Sequence, residues 1–147
     1  MRVVLQRVTS ASVAVDEEIV GRIGRGLVAL VGIARGDDED TVDALARKTA
    51  LLRVFDDGET RGRFSVADIG GDVLVVSQFT LMADTRRGHR PSWSAAAAPD
   101  VAEPLVDRFA ERLRAQGLTV ATGRFGAHME VTLEGDGPVT VVLDHPV

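Results

Sequence analysis

Apolar and polar positions alternate through "RVVLQRV" near the start of the chain and again through "ASVAV". A period of two buries one face of a strand, so each stretch predicts a strand. "DEE", Asp16 to Glu18, is a turn signal, and "IVGRI" returns from it. "LVALVGI", Leu27 to Ile33, is continuously apolar, as a strand buried on both faces is. Acid then crowds Asp37 to Asp40, which suits a helix start because aligned peptide dipoles leave partial positive charge there. Val42, Leu45, Thr49 and Leu52 share one face of a helix that runs to about Leu52.

"FDDGE" marks a turn, and "GGDVLVVSQFTL" a turn followed by a second, mostly apolar strand. Asp100 and Glu103 stand at capping-box spacing. Val101, Leu105, Phe109 and Leu113 follow at helical period until Gly117 stops the helix. Pro104 permits a start nearer to it. Met129, Val131 and Leu133 alternate with polar residues, "GDG" follows, and Val139, Val141 and Leu143 alternate again. That pattern predicts a hairpin with one buried face. Many short strands and two main helices predict a single α+β domain with a mostly antiparallel, barrel-like sheet.

The 147 residues suffice for one domain with a real core. There is no cysteine, hence no disulfide framework and no thiolate chemistry. No apolar run reaches the roughly 18 residues of a membrane span, and the first ten residues read as a strand, so a cytoplasmic protein without membrane contact is expected. A net charge of −5 disfavours a broad footprint on duplex DNA. It leaves room for a local one. "DTRRGHR" gathers Arg86, Arg87, His89 and Arg90 in one polar loop, which is either a solvated loop or a contact for phosphates.

Motifs for familiar catalysts are missing. There is no G-x-S-x-G elbow, no H-E-x-x-H and no P-loop. His89, His128 and His145 have no ligand spacing, so neither metal nor cofactor is expected. "GRIGRG" lacks dinucleotide-binding spacing and reads as turn glycines. Two segments remain. Ser77, Gln78 and Thr80 interrupt an apolar run, and buried polar groups need partners. They either bond the neighbouring loop or face a ligand. Gly137-Pro138 is either an ordinary hairpin turn or a stiff cis unit, since an X–Pro bond is where cis is cheap.

Taken together, "QRVTSASV", "GGDVLVVSQFTL", "ADTRRGHRPSWS", "TGRFGAHMEV" and "DGPVT" resemble the D-aminoacyl-tRNA deacylases over nearly the whole chain. The ordered pair SQ-x-T-L and G-P-V-T is the specific part. The resemblance implies one deacylase domain over residues 1–147 and a homodimer. It implies hydrolysis of the ester between a D-amino acid and the terminal ribose of tRNA, with glycyl-tRNA also cleaved and L-aminoacyl-tRNA rejected. It further implies that Ser77, Gln78, Phe79 and Thr80 line the reacting ester. Gly137 and cis-Pro138 would form a chiral filter in the other subunit, with Arg7 supporting it. Met129 and Trp93 would belong to the substrate pocket, Trp93 standing where the family commonly has phenylalanine. Arg86, Arg87 and Arg90 would meet the acceptor end.

Two other readings remain open. Thr80 could be a covalent nucleophile, although no base adjoins it in sequence. A non-catalytic dimer that binds nucleotide or RNA would account for the basic loop and Trp93. It would leave the joint occurrence of "SQFT" and "GPVT" without a reason.

Overall fold

A computed structural model describes residues 1–146. The chain forms β1 (Arg2–Val15), β2 (Glu18–Ile23), β3 (Gly26–Gly32), α1 (Glu39–Leu51), β4 (Asp72–Ser77), α2 (Pro99–Arg114), β5 (Thr119–Thr122) and β6 (Glu130–Asp144). The two alternating stretches at the start are one long strand. Its first half pairs with β3 and its second half with β2, both antiparallel. Asp16 and Glu17 make the β1–β2 turn with φ of 50° and 67°. Positive φ at both central residues matches the twist of the strands they join.

β3, β4 and β5 run parallel, so the sheet is mixed with a majority of antiparallel pairs. The sheet curls until β2 nears β5. A Cβ added at Gly21 would lie 2.6 Å from the Thr122 carbonyl oxygen, so only glycine fits at that seam. The barrel-like sheet with two helices in a single domain is thus as expected.

Strand period two sorts the core. Leu27, Ala29 and Val31 of β3, with Val73 and Val75 of β4, face the helices around Phe55, Phe109 and Leu113. Val28, Leu74 and Val76 point the other way, onto Val8, Val13 and Ile23 inside the curl. Each fully buried side chain of this size contributes about 1.5–3 kcal/mol. α1 begins as its acids predict, with Asp38 accepting from the Thr41 amide at 2.9 Å. Among the described residues one ion pair is buried: the Met1 ammonium lies 2.7 Å from Asp37, their side chains 0% and 7% exposed.

Three local expectations fail. α2 starts at Pro99, and no side chain caps it. Proline suits this position because its missing N–H has no helical partner there. The pattern at Asp100 and Glu103 is therefore not a cap. Ser77 closes β4, and Phe79–Met82 form a short 3₁₀ turn instead of more strand. The C-terminal hairpin does not exist. β6 is a single strand antiparallel to β1 along almost all its length. Gln6 opposes Thr140 and Val8 opposes Gly135, so residues 136–139 bulge out opposite Arg7. Alternation looks the same whether a chain turns back or bulges and continues, and only the partner strand decides.

Candidate active site

The parallel strands place the site. β3 and β4 end together, with Val31 opposite Ser77 and the Gln78 amide donating to the Val31 carbonyl at 2.7 Å. In parallel sheets ligands bind beyond the carboxyl ends of the strands. A cavity of about 440 Å³ lies there. Ser77, Gln78 and Phe79 form one wall, Ala102 and Val106 of α2 another, and Phe125 and Met129 a third. Two segments some fifty positions apart in sequence, "SQF" and "FGAHM", thus share one opening.

Among the described residues, none that lines this cavity is ionisable. The polar wall is instead unpaired. Gln78 holds the capping position of the 3₁₀ turn without a capping bond from its side chain. Among the described residues, the side chains of Ser77, Gln78 and Thr80 hydrogen-bond no other protein group. The amides of Phe79 and Thr80 likewise find no acceptor. The bonds to a neighbouring loop that the sequence left open do not form. Half-buried polar groups without partners beside a cavity, those of Ser77 and Gln78 on its wall, are what a polar ligand would satisfy.

Thr80 sits in the turn but does not line the cavity, and neither does Trp93. Trp93 meets the exposed ring of Phe79 edge-on, centroids 6.0 Å apart at 68°. It marks the mouth and not the interior. The loop before it is closed at its base, where the Asp84 amide donates to the Ser92 carbonyl at 2.7 Å and the Ser92 amide returns at 3.0 Å. Arg86 turns back onto Asp84 through Nε at 2.9 Å and Nη2 at 2.7 Å. Those charge-assisted bonds, with one from the Arg86 amide, hold the Asp84 carboxyl down at about 2.

Gly137 and Pro138 are exposed on the bulge of β6, joined by a cis peptide bond, and they line no part of this chain's own cavity. Arg7 stands behind the bulge and is buried. Its Nε donates to the Asp136 carbonyl at 2.8 Å and its Nη1 to the Val54 carbonyl at 2.7 Å. Asp56 and Asp136 each set a carboxylate 3.4 Å from the same guanidinium. On the other side of the bulge Thr140 donates its hydroxyl proton to the Gln6 side chain.

One contributor escaped the sequence reading. Gly32 lies under the 3₁₀ turn, and a Cβ there would come within 3.0 Å of both the Gln78 carbonyl oxygen and Leu81 Cβ. The signal was present: a lone glycine in an apolar strand marks close approach of another backbone. The α2 face of the cavity, Ala102 and Val106, could not be told from ordinary core.

The family model described as "D-Tyr-tRNA(Tyr) deacylase" matches residues 4–144. A D-aminoacyl-tRNA deacylase of Roseiflexus sp. (strain RS-1) is 59% identical over 147 residues, which is 100% of this chain and 95% of that protein. One of Nocardia farcinica (strain IFM 10152) is 62% identical over 147 residues, 98% of this chain and 99% of that protein. Among solved structures, the c-Myc DNA Unwinding Element Binding Protein aligns with a TM-score of 0.93 at 39% identity over 100% of both chains. A probable eukaryotic D-amino acid tRNA deacylase aligns with a TM-score of 0.85 over 97% of each chain. At 20% identity that likeness concerns the fold alone.

Proposed function

This chain belongs to the D-aminoacyl-tRNA deacylase family, and from that premise we propose how it works as a hydrolase. The ester between a D-amino acid and the terminal ribose of tRNA enters the cavity at Ser77, Gln78 and Phe79. The observation that carries this reading is a polar wall on which, among the described residues, the Ser77 hydroxyl, the Gln78 side-chain amide and the Phe79 main-chain N–H have no protein partner, on a cavity without an ionisable side chain.

The Phe79 and Thr80 amides receive the carbonyl oxygen of the ester and stabilise the negative charge that develops there. Water adds its oxygen to the carbonyl carbon, and the bond from that carbon to the ribose oxygen breaks. The water proton goes to the leaving ribose oxygen, relayed by the vicinal 2′-hydroxyl. An aminoacyl ester is already activated, so no base of the protein is required. Ser77 and Gln78 orient the aminoacyl group, Met129 bounds it, and Trp93 with Phe79 flanks the terminal nucleoside.

Handedness is read by a second copy of the chain. Gly137 and Pro138 of one subunit reach into the cavity of the other, with Arg7 holding the Asp136 carbonyl next to them. They act at Cα and reject an L side chain by collision, so glycyl-tRNA, including glycine mischarged on alanine tRNA, is also hydrolysed. The exposed positions of the pair, away from its own cavity, support this arrangement. So does β6, which is paired only to β1 and exposes Val131, Leu133 and Val142. The reaction belongs in the cytoplasm, where charged tRNA is used. Among the described residues no helix is long and apolar enough to cross a membrane.

Incubation with D-tyrosyl-, L-tyrosyl- and glycyl-tRNA tests the reading. Release of D-tyrosine and glycine is expected, with the L ester spared. An intact D ester at micromolar protein would refute the function. An intact glycyl ester beside a cleaved D ester would refute only the filter that works by rejection.

A further inference from the structure

The loop from Asp84 to Ser92 carries three arginines, and the structure sorts them into two kinds. Arg86 is spent within the loop. Its backbone amide, Nε and Nη2 all donate to the Asp84 carboxylate, at 3.0, 2.9 and 2.7 Å. The pair is close to neutral, and a phosphate approaching Arg86 would also meet the carboxylate. Arg87 and Arg90 are exposed, and among the described residues neither guanidinium has an ion pair. The loop is rooted at Ser92, beside Trp93, and the Trp93 ring meets Phe79 at the mouth of the cavity. Gly88 at the tip has a φ of 63° and open space around it. The loop that carries the two unpaired cations is thus joined through Ser92 and Trp93 to Phe79 at the cavity wall.

Resting on the function proposed above, we propose that Arg87 and Arg90 contact the phosphates of the single-stranded 3′ end of the RNA. Arg86 makes no such contact, because its charge is spent on the Asp84 carboxylate. Three equivalent arginines would give three phosphate contacts, whereas this division gives two. Each phosphate neutralised on a single strand adds a slope of about 0.7 to the fall of log affinity with log salt. Two contacts therefore weaken binding about sevenfold between roughly 50 and 200 mM salt.

The test compares three proteins: the unmodified chain, Arg87→Ala/Arg90→Ala, and Asp84→Asn/Arg86→Gln. Each is assayed at both salt concentrations on D-tyrosyl-tRNA and on D-tyrosyl-adenosine, which has no phosphate. Arg87→Ala/Arg90→Ala should raise KM for the tRNA about tenfold at low salt, flatten its salt slope by about 1.4, and leave D-tyrosyl-adenosine turnover unchanged. Asp84→Asn/Arg86→Gln should keep the slope of the unmodified chain. A flattened slope in the Asp84/Arg86 variant, or an unchanged slope in the Arg87/Arg90 variant, overturns the assignment. Equal losses on both substrates overturn it too. If the unmodified chain cleaves neither ester, the proposed function has failed. The salt slope of binding to uncharged tRNA, measured on the same three proteins, then decides the phosphate contacts alone, and no binding overturns them.

Discussion

Arg7 and Asp136 are 129 positions apart, yet Arg7 Nε donates to the Asp136 carbonyl at 2.8 Å, immediately before Gly137-Pro138. The guanidinium also holds Val54 and sits between two carboxylates, so one buried fork ties β1, the segment before residue 56 and the bulge of β6 together. Removal leaves two carbonyls without a donor, at about 1–3 kcal/mol each if they stay buried. Arg7→Ala should therefore lower denaturant stability by about 2–6 kcal/mol and loosen the bulge. Arg7→Lys should not restore activity, because an ammonium cannot reproduce the fork. Discrimination between D- and L-tyrosyl-tRNA should fall in both variants. Selectivity equal to that of the unmodified chain would show that Arg7 serves stability alone.

Gly32 is expected to control the reacting turn without touching substrate. A methyl group there must displace the Gln78 carbonyl or Leu81, each 3.0 Å away. The turn must give by a few tenths of an ångström, short of the roughly 1 Å that can cost on the order of 10²-fold in rate. Gly32→Ala should lower kcat by up to about tenfold, with a stability loss of only about 1–3 kcal/mol from overpacking. Native circular dichroism together with unchanged kcat would show that the turn tolerates the shift.

Thr80→Ala separates two chemistries. Removing an essential nucleophile costs on the order of 10⁶ in kcat. The Thr80 amide survives the substitution, and among the described residues no base hydrogen-bonds the Thr80 hydroxyl to activate it. Deacylation should stay within about tenfold of the unmodified rate, far from that 10⁶-fold loss. Mass-spectrometric capture of an acyl ester on Thr80 would reverse the conclusion.

Asp37→Asn should be among the most destabilising surface-distant changes. It removes the charge opposite the buried Met1 ammonium, now 2.7 Å from the carboxylate, and leaves that ammonium its bond to the His145 carbonyl at 2.9 Å. Breaking one side of a buried pair costs about 3–5 kcal/mol. The Ala34 amide, which donates to the same oxygen at 2.7 Å, keeps an acceptor in the asparagine. Chemical denaturation reads the loss, and a change under about 1 kcal/mol would mean the ammonium finds water instead.

Asp84 should remain ionised well into acid. Its carboxyl is held at about 2 by the Arg86 side chain first and the Arg86 amide second. A depressed carboxyl supports the folded loop fully above its ordinary value of 3.8 and loses that support as pH falls through about 2. The clamp is thus intact at pH 5. Carboxyl NMR should give a midpoint near 2 that returns toward 3.8 in Arg86→Ala. A midpoint unmoved by that substitution would remove Arg86 as the cause.

Strands, helices and the doubly buried nature of β3 were legible in the order of residues, because period, acids at a helix start and turn residues act within a few positions. One segment of the cavity wall was legible too, since "SQFT" places polar groups where a core wants none. Other features depended on partners far along the chain. The alternation after Met129 predicts strands on both sides of "GDGP" and is silent on whether they pair with each other or with β1. Register against β1 made one strand with a bulge, and that put Gly137 beside Arg7. The cavity needed the parallel register of β3 and β4, which brings Ser77 level with Val31 and leaves the amides of Phe79 and Thr80 free. Arg86 and Arg87 are neighbours of identical chemistry. Only the folded loop sets one against Asp84 and leaves the other to solvent, because a guanidinium binds whatever carboxylate the backbone brings within reach.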